Sequence, residues 1–288
     1  MNQKKYNNLL TVIIVTYHSN QIVEKLLSSI EENIKVLVIE NSLNQKLKED
    51  LEKKFQNVEV IIPKNNLGNG GGINLGFQNV KTSYALYLDV DTLPSKNMIN
   101  ILLEKAKELK NFSILAPKVK NYTYKDEDYI EKSKTGTFHK MKFITGCGLL
   151  FDMEVLKKVG KFDENIFLYY EEIDLYYRSL KLGFNIYMID QAELVHHGSA
   201  AINKDYNHEI LINRSWHYCW SKFYYYKKNF SYLYGLKKTI PNFFKAFRQL
   251  FYSKLKGDKT KSSLHAAEIQ GLLASYMLRK SYRRPNIK

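Results

Sequence analysis

Tyr84-Ala85-Leu86-Tyr87-Leu88-Asp89-Val90-Asp91-Thr92 is the stretch from which the fold can be argued. An apolar run that ends in two carboxylates is typical of a buried strand, whose alternation would turn Asp89 and Asp91 to one face. Ligands of open α/β sheets bind beyond the carboxyl ends of the strands, and paired oxygens there suit a hard divalent cation that also holds phosphate. The structural alternative is that Asp91 caps the helix expected after residues 92–95.

Three more strands are predicted upstream of this stretch. Apolar, β-branched runs cover residues 10–17, 36–39 and 58–62, and helical patterns separate them. A β-α-β-α-β order is typical of parallel strands joined by right-handed crossovers. The sequence therefore predicts an α/β fold, with a Rossmann-like, mostly parallel sheet flanked by helices.

A glycine-rich segment, residues 65–72, precedes a helix that contains Asn74. Glycines at this density let the backbone approach a ligand closely, and N–H groups at a helix start can receive anions. Ordinary turn chemistry explains such a segment equally well. We expect a loop here, with the helix beginning after it.

The pattern loosens downstream of residue 110. A strand is predicted at 113–117, an exposed loop at 122–134 and a strand at 143–151, where Gly146 leaves room for a substrate. A strand is predicted at 185–189, and residues 194–199, which include His196, are predicted to end another short strand.

Three carboxylates, Glu171, Glu172 and Asp174, gather in the first turn of a predicted helix. Acidic residues there favour the helix dipole, so capping alone is one explanation. The other is catalytic, because like charges raise one another's pKa and so tune a general base towards neutral pH.

Composition divides the 288-residue chain into residues 1–213 and a basic, aromatic-rich helical extension, 214–288. The first part has 27 basic against 27 acidic residues, whereas the extension has 17 against 2 and carries 17 of the 39 aromatic residues. A helix is expected from Thr239, with Pro241 in its first turn. Cations mixed with amphipathic rings suit a membrane surface, although the apolar face of this helix could instead cover the catalytic domain.

Two features of the sequence bear on the compartment. Cys147 and Cys219 lie far apart without metal-like spacing, which fits a reducing environment. No apolar run near residue 1 is long enough for a signal segment or a membrane span. We expect a cytoplasmic protein, peripheral on the inner face of the cell membrane.

The order of motifs resembles that of family-2 glycosyltransferases with the GT-A fold, and most closely their bacterial rhamnosyltransferase-like branch. The motifs cover residues 10–228 and are Val15-Thr16-Tyr17, Glu40-Asn41-Ser42, Asn66-Leu67-Gly68 with Asn74, Asp89-Val90-Asp91, Gly146, Phe162-Asp163-Glu164, Glu171-Glu172-Ile173-Asp174-Leu175 with Arg178, and His196.

The resemblance implies a nucleotide site at the ends of the first strands. Thr16 and Tyr17 would hold and stack the base, and Glu40, where the family has Asp, would bond base or ribose. Asn66, Gly68 and Asn74 would line the same site.

The resemblance also implies a metal site and a catalytic base. Asp89 would bind ribose and, with Asp91 and His196, the Mg²⁺ or Mn²⁺ that clamps the diphosphate. The family's base is an Asp at the position of Glu172, and Glu171 and Asp174 remain candidates. Gly146 and Arg178 would lie on the acceptor side.

The implied activity is an inverting, metal-dependent transfer of a sugar, with rhamnose as one candidate, from a nucleoside-diphosphate sugar. The expected acceptor is a hydroxyl of a lipid-linked or oligosaccharide cell-surface glycan, and no nucleic-acid partner is expected. One alternative, an NAD-dependent oxidoreductase, predicts Gly-x-Gly-x-x-Gly after the first strand, where residues 18–21 contain no glycine. The other is a nucleic-acid-binding protein with a degenerate enzyme domain, suggested by the basic extension.

Overall fold

The computed structural model describes residues 6, 8–133, 136–198 and 207–285. The strands are β1 Leu10–Thr16, β2 Lys35–Glu40, β3 Val58–Ile61, β4 Tyr84–Asp89, β5 Thr92–Pro94, β6 Phe112–Val119, β7 Tyr129–Glu131, β8 Phe138–Met141, β9 Gly148–Asp152 and β10 Asn185–His196. The helices are α1 Asn20–Leu27, α2 Gln45–Lys54, α3 Gly68–Asn79, α4 Met98–Glu108, α5 Met153–Val159, α6 Glu171–Lys181, α7 Asn207–Asn229, α8 Tyr232–Leu255 and α9 Lys259–Tyr276, with a 3-10 turn at Asp126–Asp128.

The described strands form one mixed sheet in the order β3-β2-β1-β4-β9-β6-β10-β8-β7, with β5 paired to β10. Strands β3, β2, β1 and β4 run parallel, as the β-α-β-α-β pattern predicts. Antiparallel β9 lies between β4 and β6. The α/β architecture expected from the sequence is therefore confirmed.

Alternation of apolar side chains along the central strands builds a core on both faces of the sheet. One face buries Val12 and Ile14 of β1 under α1, α2 and α4. The other buries Ile13 under α3, α5 and α6. Full burial of three successive β1 residues explains why this strand is a continuous apolar run.

The chain divides into two compact units. The first comprises Met1–Leu67, Gly71–Phe162 and Leu175–Ala201, and includes the sheet. The second comprises Gly68–Gly70, Asp163–Asp174 and Ile202–Lys288, and includes α7, α8 and α9. The domain boundary predicted after residue 213 falls inside α7 and stays a prediction.

Within the second unit, two tryptophans of α7 are the centre of the core. Trp216 and Trp220 are buried, stack with ring centroids 6.4 Å apart and pack on Ala267 and Ala274 of α9. The Ser275 hydroxyl donates to the Trp220 carbonyl at 2.9 Å, so α9 is fixed along α7.

Two local predictions around the glycine-rich segment and the Asp stretch are wrong. Helix α3 already begins at Gly68, so the glycines at 70–72 are helical. A Cβ on Gly72 would lie 2.9 Å from a Val15 methyl, so glycine there lets α3 lie close on β1. Asp91 follows β4 instead of belonging to it, and it caps no helix, since Asn97 holds the N-cap of α4.

Other predicted boundaries also differ from the structure. Strand β9 begins at Gly148, so residues 143–147 precede it. The two strands expected within residues 185–199 are one strand that ends at His196, with a bulge between Ile189 and Glu193; Ser199 lies outside the described residues. Part of the loop predicted at 122–134 is strand β7, paired with β8; its last residue, Lys134, lies outside the described residues. Helix α8 begins at Tyr232, because the Ser231 hydroxyl caps it, so Pro241 is internal.

Across the residues that the structure describes, no helix has the length and apolar content needed to cross a membrane.

Candidate active site

Two carboxylates and an imidazole converge at the carboxyl edge of the sheet in the first unit. Asp89 ends β4, Asp91 lies in the turn between β4 and β5, and His196 ends β10. The His196 Nε2 atom lies 3.2 Å from Asp91 Oδ1 and 3.7 Å from Asp89 Oδ2. Ligand atoms from the three residues all lie within 4.8 Å of one another. We call these three residues the Asp/His cluster.

Strand pairing brings this cluster together. The short strand β5 runs antiparallel to β10 with Thr92 opposite His196, which carries Asp91 back towards the end of β10. The His197 N–H donates to the Asp91 carbonyl at 2.9 Å, and the Asp89 N–H donates to the Cys147 carbonyl at 2.9 Å. The backbone on both sides of the cluster is therefore fixed by hydrogen bonds.

Asn121, which the sequence did not single out, braces the histidine. Its amide nitrogen donates to the His196 carbonyl at 2.5 Å, and the His196 N–H donates to its amide oxygen at 3.2 Å. Asp89 is held separately, since the Tyr87 phenol donates to its carboxylate. Asn121 and His196 are 75 positions apart in the sequence, so no local pattern reveals their contact.

The donor set of the Asp/His cluster fits a divalent cation. Carboxylate oxygens suit Mg²⁺ and Mn²⁺, and an imidazole nitrogen shifts the preference towards transition metals such as Mn²⁺. Asp91 is 7% exposed, so its carboxylate has few waters around it and gains from a nearby cation.

A cleft of about 370 Å³ opens beside the cluster. It is lined by Gln21, Ile22 and Lys25 of α1 and by the turn 90–93 with His197. The cleft and the Asp91 backbone thus lie on the same edge of the sheet, where ligands of open α/β folds bind.

Thr16 and Glu40 lie side by side at the same edge, at the ends of β1 and β2. The buried Thr16 hydroxyl has no hydrogen-bond partner among the described residues. It is therefore available for a hydrogen bond with a bound ligand. Tyr17 is partly exposed and packs edge-on against His18 at 4.5 Å between ring centroids. Burial lowers the pKa of His18, and the nearby Glu40 carboxylate opposes that effect.

Glu40 has a local task that the sequence did not reveal. Its buried carboxylate accepts hydrogen bonds from the Ser42 hydroxyl, from the Ser42 N–H at 3.0 Å and from the Asn44 N–H at 2.6 Å. These bonds shape the turn after β2. The nucleotide contact assigned to Glu40 stays a prediction.

Asn74 and Gly68 also have structural tasks, and Asn66 is partly exposed just before α3. The buried Asn74 amide donates to the Phe162 carbonyl at 2.9 Å and accepts the Phe162 N–H at 3.0 Å. Gly68 has φ +75°, and a Cβ there would lie 2.0 Å from the Phe167 carbonyl oxygen. Only glycine fits this position, and the predicted nucleotide contacts of all three residues stay predictions.

The second acidic cluster, Glu171, Glu172 and Asp174 of α6, belongs to the second unit. Glu171 is 3% exposed and accepts a hydrogen bond from the Asn69 amide at 3.0 Å. Asp174 is fully buried and accepts from the Lys228 ammonium and the Asn229 amide, both at 2.9 Å. Glu172 is the partly exposed member of the cluster.

Lys228 of α7 joins two buried or nearly buried carboxylates. It lies 2.8 Å from Asp163 and 2.9 Å from Asp174, and the Tyr224 hydroxyl donates to Asp163 at 3.0 Å. Burial raises the pKa of Asp163, but hydrogen bonds from Lys228 and Asn165 outweigh this and hold the pKa below its usual value. The Lys228 ammonium therefore ties both Asp163 and Asp174 to α7.

The two residues assigned to the acceptor side lie in the first unit. Arg178 donates to the carbonyls of Val159, Gly160 and Lys161 at 2.7, 3.1 and 2.7 Å and so holds the end of α5. Gly146 lies in the turn before β9 and next to Cys147, whose carbonyl bonds Asp89. Acceptor contacts of both residues stay predictions.

Comparison with protein families gives a match over residues 11–160, just over half of the chain, to the family described as Glycosyl transferase family 2. The low-salt glycan biosynthesis hexosyltransferase Agl10 of Haloferax volcanii is 24% identical over 210 residues, covering 65% of this chain and 66% of that protein. An uncharacterized glycosyltransferase of Rickettsia typhi is 25% identical over 201 residues, covering 64% and 62%. The aligned part thus spans less than two thirds of either relative's length.

Solved structures with the same fold include glycosyltransferases bound to nucleotides. The mannosyltransferase PcManGT from Pyrobaculum calidifontis, in complex with GDP-Man and Mn²⁺, has 13% identity and a TM-score of 0.58, covering 95% of this chain and 88% of that one. TarS 1-349 from S. aureus, in complex with UDP, has 14% identity and a TM-score of 0.54, covering 93% and 90%. These likenesses confirm the GT-A architecture expected from the motif order.

Proposed function

The chain belongs to glycosyl transferase family 2, and from that premise we propose that it transfers a sugar from a nucleoside-diphosphate sugar to a hydroxyl group with inversion. The observation that carries the proposal is the convergence of Asp89, Asp91 and His196 at the carboxyl edge of the sheet. Family membership decides against the NAD-dependent oxidoreductase. For the basic extension we propose below a role other than nucleic-acid binding.

The donor class is supported by the fold neighbours. The PcManGT structure contains GDP-Man and Mn²⁺, and the TarS structure contains UDP. In this chain the base would lie against Tyr17, with the buried Thr16 hydroxyl available to a ribose or base atom. The diphosphate would then lie towards Asp89 and Asp91, one strand away.

A divalent cation, Mn²⁺ or Mg²⁺, would be held by Asp89, Asp91 and His196. When bound, it neutralises the negative charge that develops on the departing diphosphate. Asn121 keeps the His196 backbone in register, and Tyr87 orients the Asp89 carboxylate by donating a hydrogen bond to it. These two residues therefore position ligands without contacting substrate.

We assign the general base to Glu172. A base must reach the acceptor hydroxyl and take its proton as the oxygen attacks the anomeric carbon. Asp174 is buried against Lys228, and Glu171 is buried against the Asn69 amide, whereas Glu172 is partly exposed. The oxocarbenium-like transition state then collapses with inversion in a single displacement.

The acceptor that we propose is a lipid-linked glycan, met at the inner face of the cell membrane. The relative Agl10 is a hexosyltransferase of glycan biosynthesis, and a hexosyl or deoxyhexosyl donor is the first class to test. Rhamnose heads the deoxyhexoses because the motif order resembles the rhamnosyltransferase-like branch. The excess of cations in residues 214–288 supports an acidic, lipid-bound acceptor.

The decisive experiment is a hydrolysis screen of purified protein against UDP-, GDP- and dTDP-sugars with Mn²⁺, Mg²⁺ or EDTA. We expect one donor to be hydrolysed slowly with metal present and to raise the melting temperature. Asp50→Asn, which removes an exposed carboxylate of α2 outside both acidic clusters, is the control for substitutions in those clusters and should behave like the parent protein. Equal hydrolysis in EDTA would refute the metal site, and no shift or turnover with any donor would refute the transferase proposal.

A further inference from the structure

The outward face of α8 carries a stripe of large apolar side chains. Its members, each between 40 and 76% exposed, are Leu233 76%, Ile240 41%, Phe244 64%, Phe247 59%, Phe251 61% and Leu255 70%. Steps of three, four or seven residues place all six on one side of the helix. We call this set the α8 stripe. Contiguous exposed apolar surface of this kind marks an interaction site.

Contacts on the opposite face fix the orientation of the helix. The buried residues of α8 are small: Gly235, Thr239, Ala246 and Ser253. The Tyr276 hydroxyl donates to the Thr239 hydroxyl at 3.0 Å, which itself donates to the Gly235 carbonyl at 2.7 Å. A helix whose only task was packing would turn its phenylalanines inward. Here the buried contacts lie on the opposite face, and three of the four phenylalanines, Phe244, Phe247 and Phe251, are exposed.

Charge around the stripe indicates what covers it. Helix α8 contains no acidic residue, and its cations, all exposed, are Lys237, Lys238, Lys245, Arg248 and Lys254. A helical projection puts Lys237 and Arg248 along one edge of the stripe and Lys254 along the other. Aromatic side chains bordered by cations match the interface of a bilayer that contains anionic lipid.

The same spacing argues against a second copy of the chain as the partner. In a coiled-coil pairing with Ile240, Phe244, Phe247 and Phe251 at the seam, the next seam positions are Lys237 and Lys254. Two copies would bring these lysines together, in either orientation, at both ends of the contact. An anionic surface removes that repulsion.

We propose that the α8 stripe inserts into the interface of an anionic phospholipid bilayer, with its bordering cations on the headgroups. The inference deepens the proposed function, on which it rests for its purpose, because it gives a lipid-linked acceptor a defined face at which to meet the enzyme. Binding to the bilayer itself requires no donor and no turnover.

The test is flotation of the full chain with vesicles of phosphatidylcholine alone or mixed with phosphatidylglycerol. We expect binding to the anionic vesicles only. The triple variant F244S/F247S/F251S should bind about a hundredfold more weakly, because three rings that would insert into the bilayer interface are lost. The variant K237Q/R248Q/K254Q should bind more weakly by a similar factor, and its binding should lose its salt dependence. Matched controls in the first unit, I130S/L182S and K53Q/K107Q/K158Q, should bind like the parent.

Each other outcome overturns the proposal. Parent protein that stays at the bottom of the gradient, or serine and glutamine variants that float like the parent, would show that α8 does not dock. A dimer in sedimentation that F244S/F247S/F251S abolishes, without flotation, would assign the stripe to a second copy. Nucleotide-sugar hydrolysis, measured on the same preparations, separates the two proposals. If the parent protein floats but hydrolyses no donor, only the transferase proposal is rejected.

Discussion

The two acidic clusters of this protein have similar sequence patterns and different environments. In the first cluster, Asp89 at the end of β4, Asp91 in the following turn and His196 at the end of β10 converge on one point. In the first turn of α6, two of three carboxylates are buried against their own donors, Asn69 for Glu171 and Lys228 for Asp174. Convergence suits a shared ligand, whereas in the second cluster the burial of Glu171 and Asp174 makes Glu172 the partly exposed carboxylate. Partner atoms, not the number of carboxylates, distinguish a metal site from a base.

The largest effect is expected for Asp91→Asn in the first cluster. Loss of one anionic ligand should lower metal-supported hydrolysis or transfer about a thousandfold, because a metal contributes several kcal/mol of charge stabilisation. Calorimetric titration with Mn²⁺ should show weaker binding than the parent and than Asp50→Asn. Parent-like Mn²⁺ affinity would break the comparison, since the first cluster would then be no metal site.

The next effect concerns Glu172→Gln in the second cluster. Removing a general base should lower kcat on the order of 100- to 1000-fold with little change in donor KM. Glu171→Gln, a matched change one residue away, should lose much less, because its carboxylate is buried and bonded to Asn69. Steady-state kinetics at saturating donor measure both. A larger loss of kcat in Glu171→Gln than in Glu172→Gln would instead identify Glu171 as the general base.

A smaller effect is expected for Asp174→Asn, and it should appear in stability. Removing one anion from a buried ion pair costs several kcal/mol, but Lys228 is partly exposed and keeps Asp163. After discounting for solvent screening, we expect a loss of about 2 kcal/mol in the free energy of unfolding, measured with urea. Unchanged stability together with abolished transfer would instead make Asp174 the base.

The smallest expected effect is a pH dependence of stability. It arises at His217, which contacts the segment just before the second cluster. His217 packs on Phe167 at 4.7 Å between ring centroids and bonds the Arg283 carbonyl at 2.9 Å. Burial lowers its pKa from 6.5 to about 3, so below pH 6.5 the unfolded chain takes up a proton that the folded one does not. Stability should therefore fall as pH drops from 6.5 towards 3.

The expected size is about 1.4 kcal/mol between pH 7.5 and 5.5. His217→Gln should lack this component in urea titrations at the two pH values, whereas His208→Gln, at an exposed position, should keep it. Identical slopes for parent and His217→Gln would show that the histidine is protonated in the fold.

Elements with strong periodicity were predicted well from the sequence. Strands β1 to β4 lie within a few residues of the predicted apolar runs, because burial on both faces leaves a clear pattern. The glycines before Asn74 misled the prediction. Gly72 lets α3 pack closely on β1, and a small side chain looks the same in a loop and in a close contact.

The sequence predicts which residues belong to the Asp/His cluster but not how they are arranged. Motif order named Asp89, Asp91 and His196, whereas the pairing of Thr92 with His196 that joins them depends on strand register. Asn121 and Lys228 were missed because their partners lie 75 and 54 positions away. Glu40 and Asn74 show the converse: a motif residue can also hold a turn or brace a backbone.

The contact of Gly68 and Asn69 with the segment before α6 has a consequence for biosynthesis. Asn69 donates to Glu171, 102 residues later, and its N–H bonds the Phe167 carbonyl. During translation Asn69 therefore cannot make both contacts until 102 further residues, more than a third of the polypeptide, have been synthesised. Nascent chains stalled before residue 167 should therefore expose this segment to proteases.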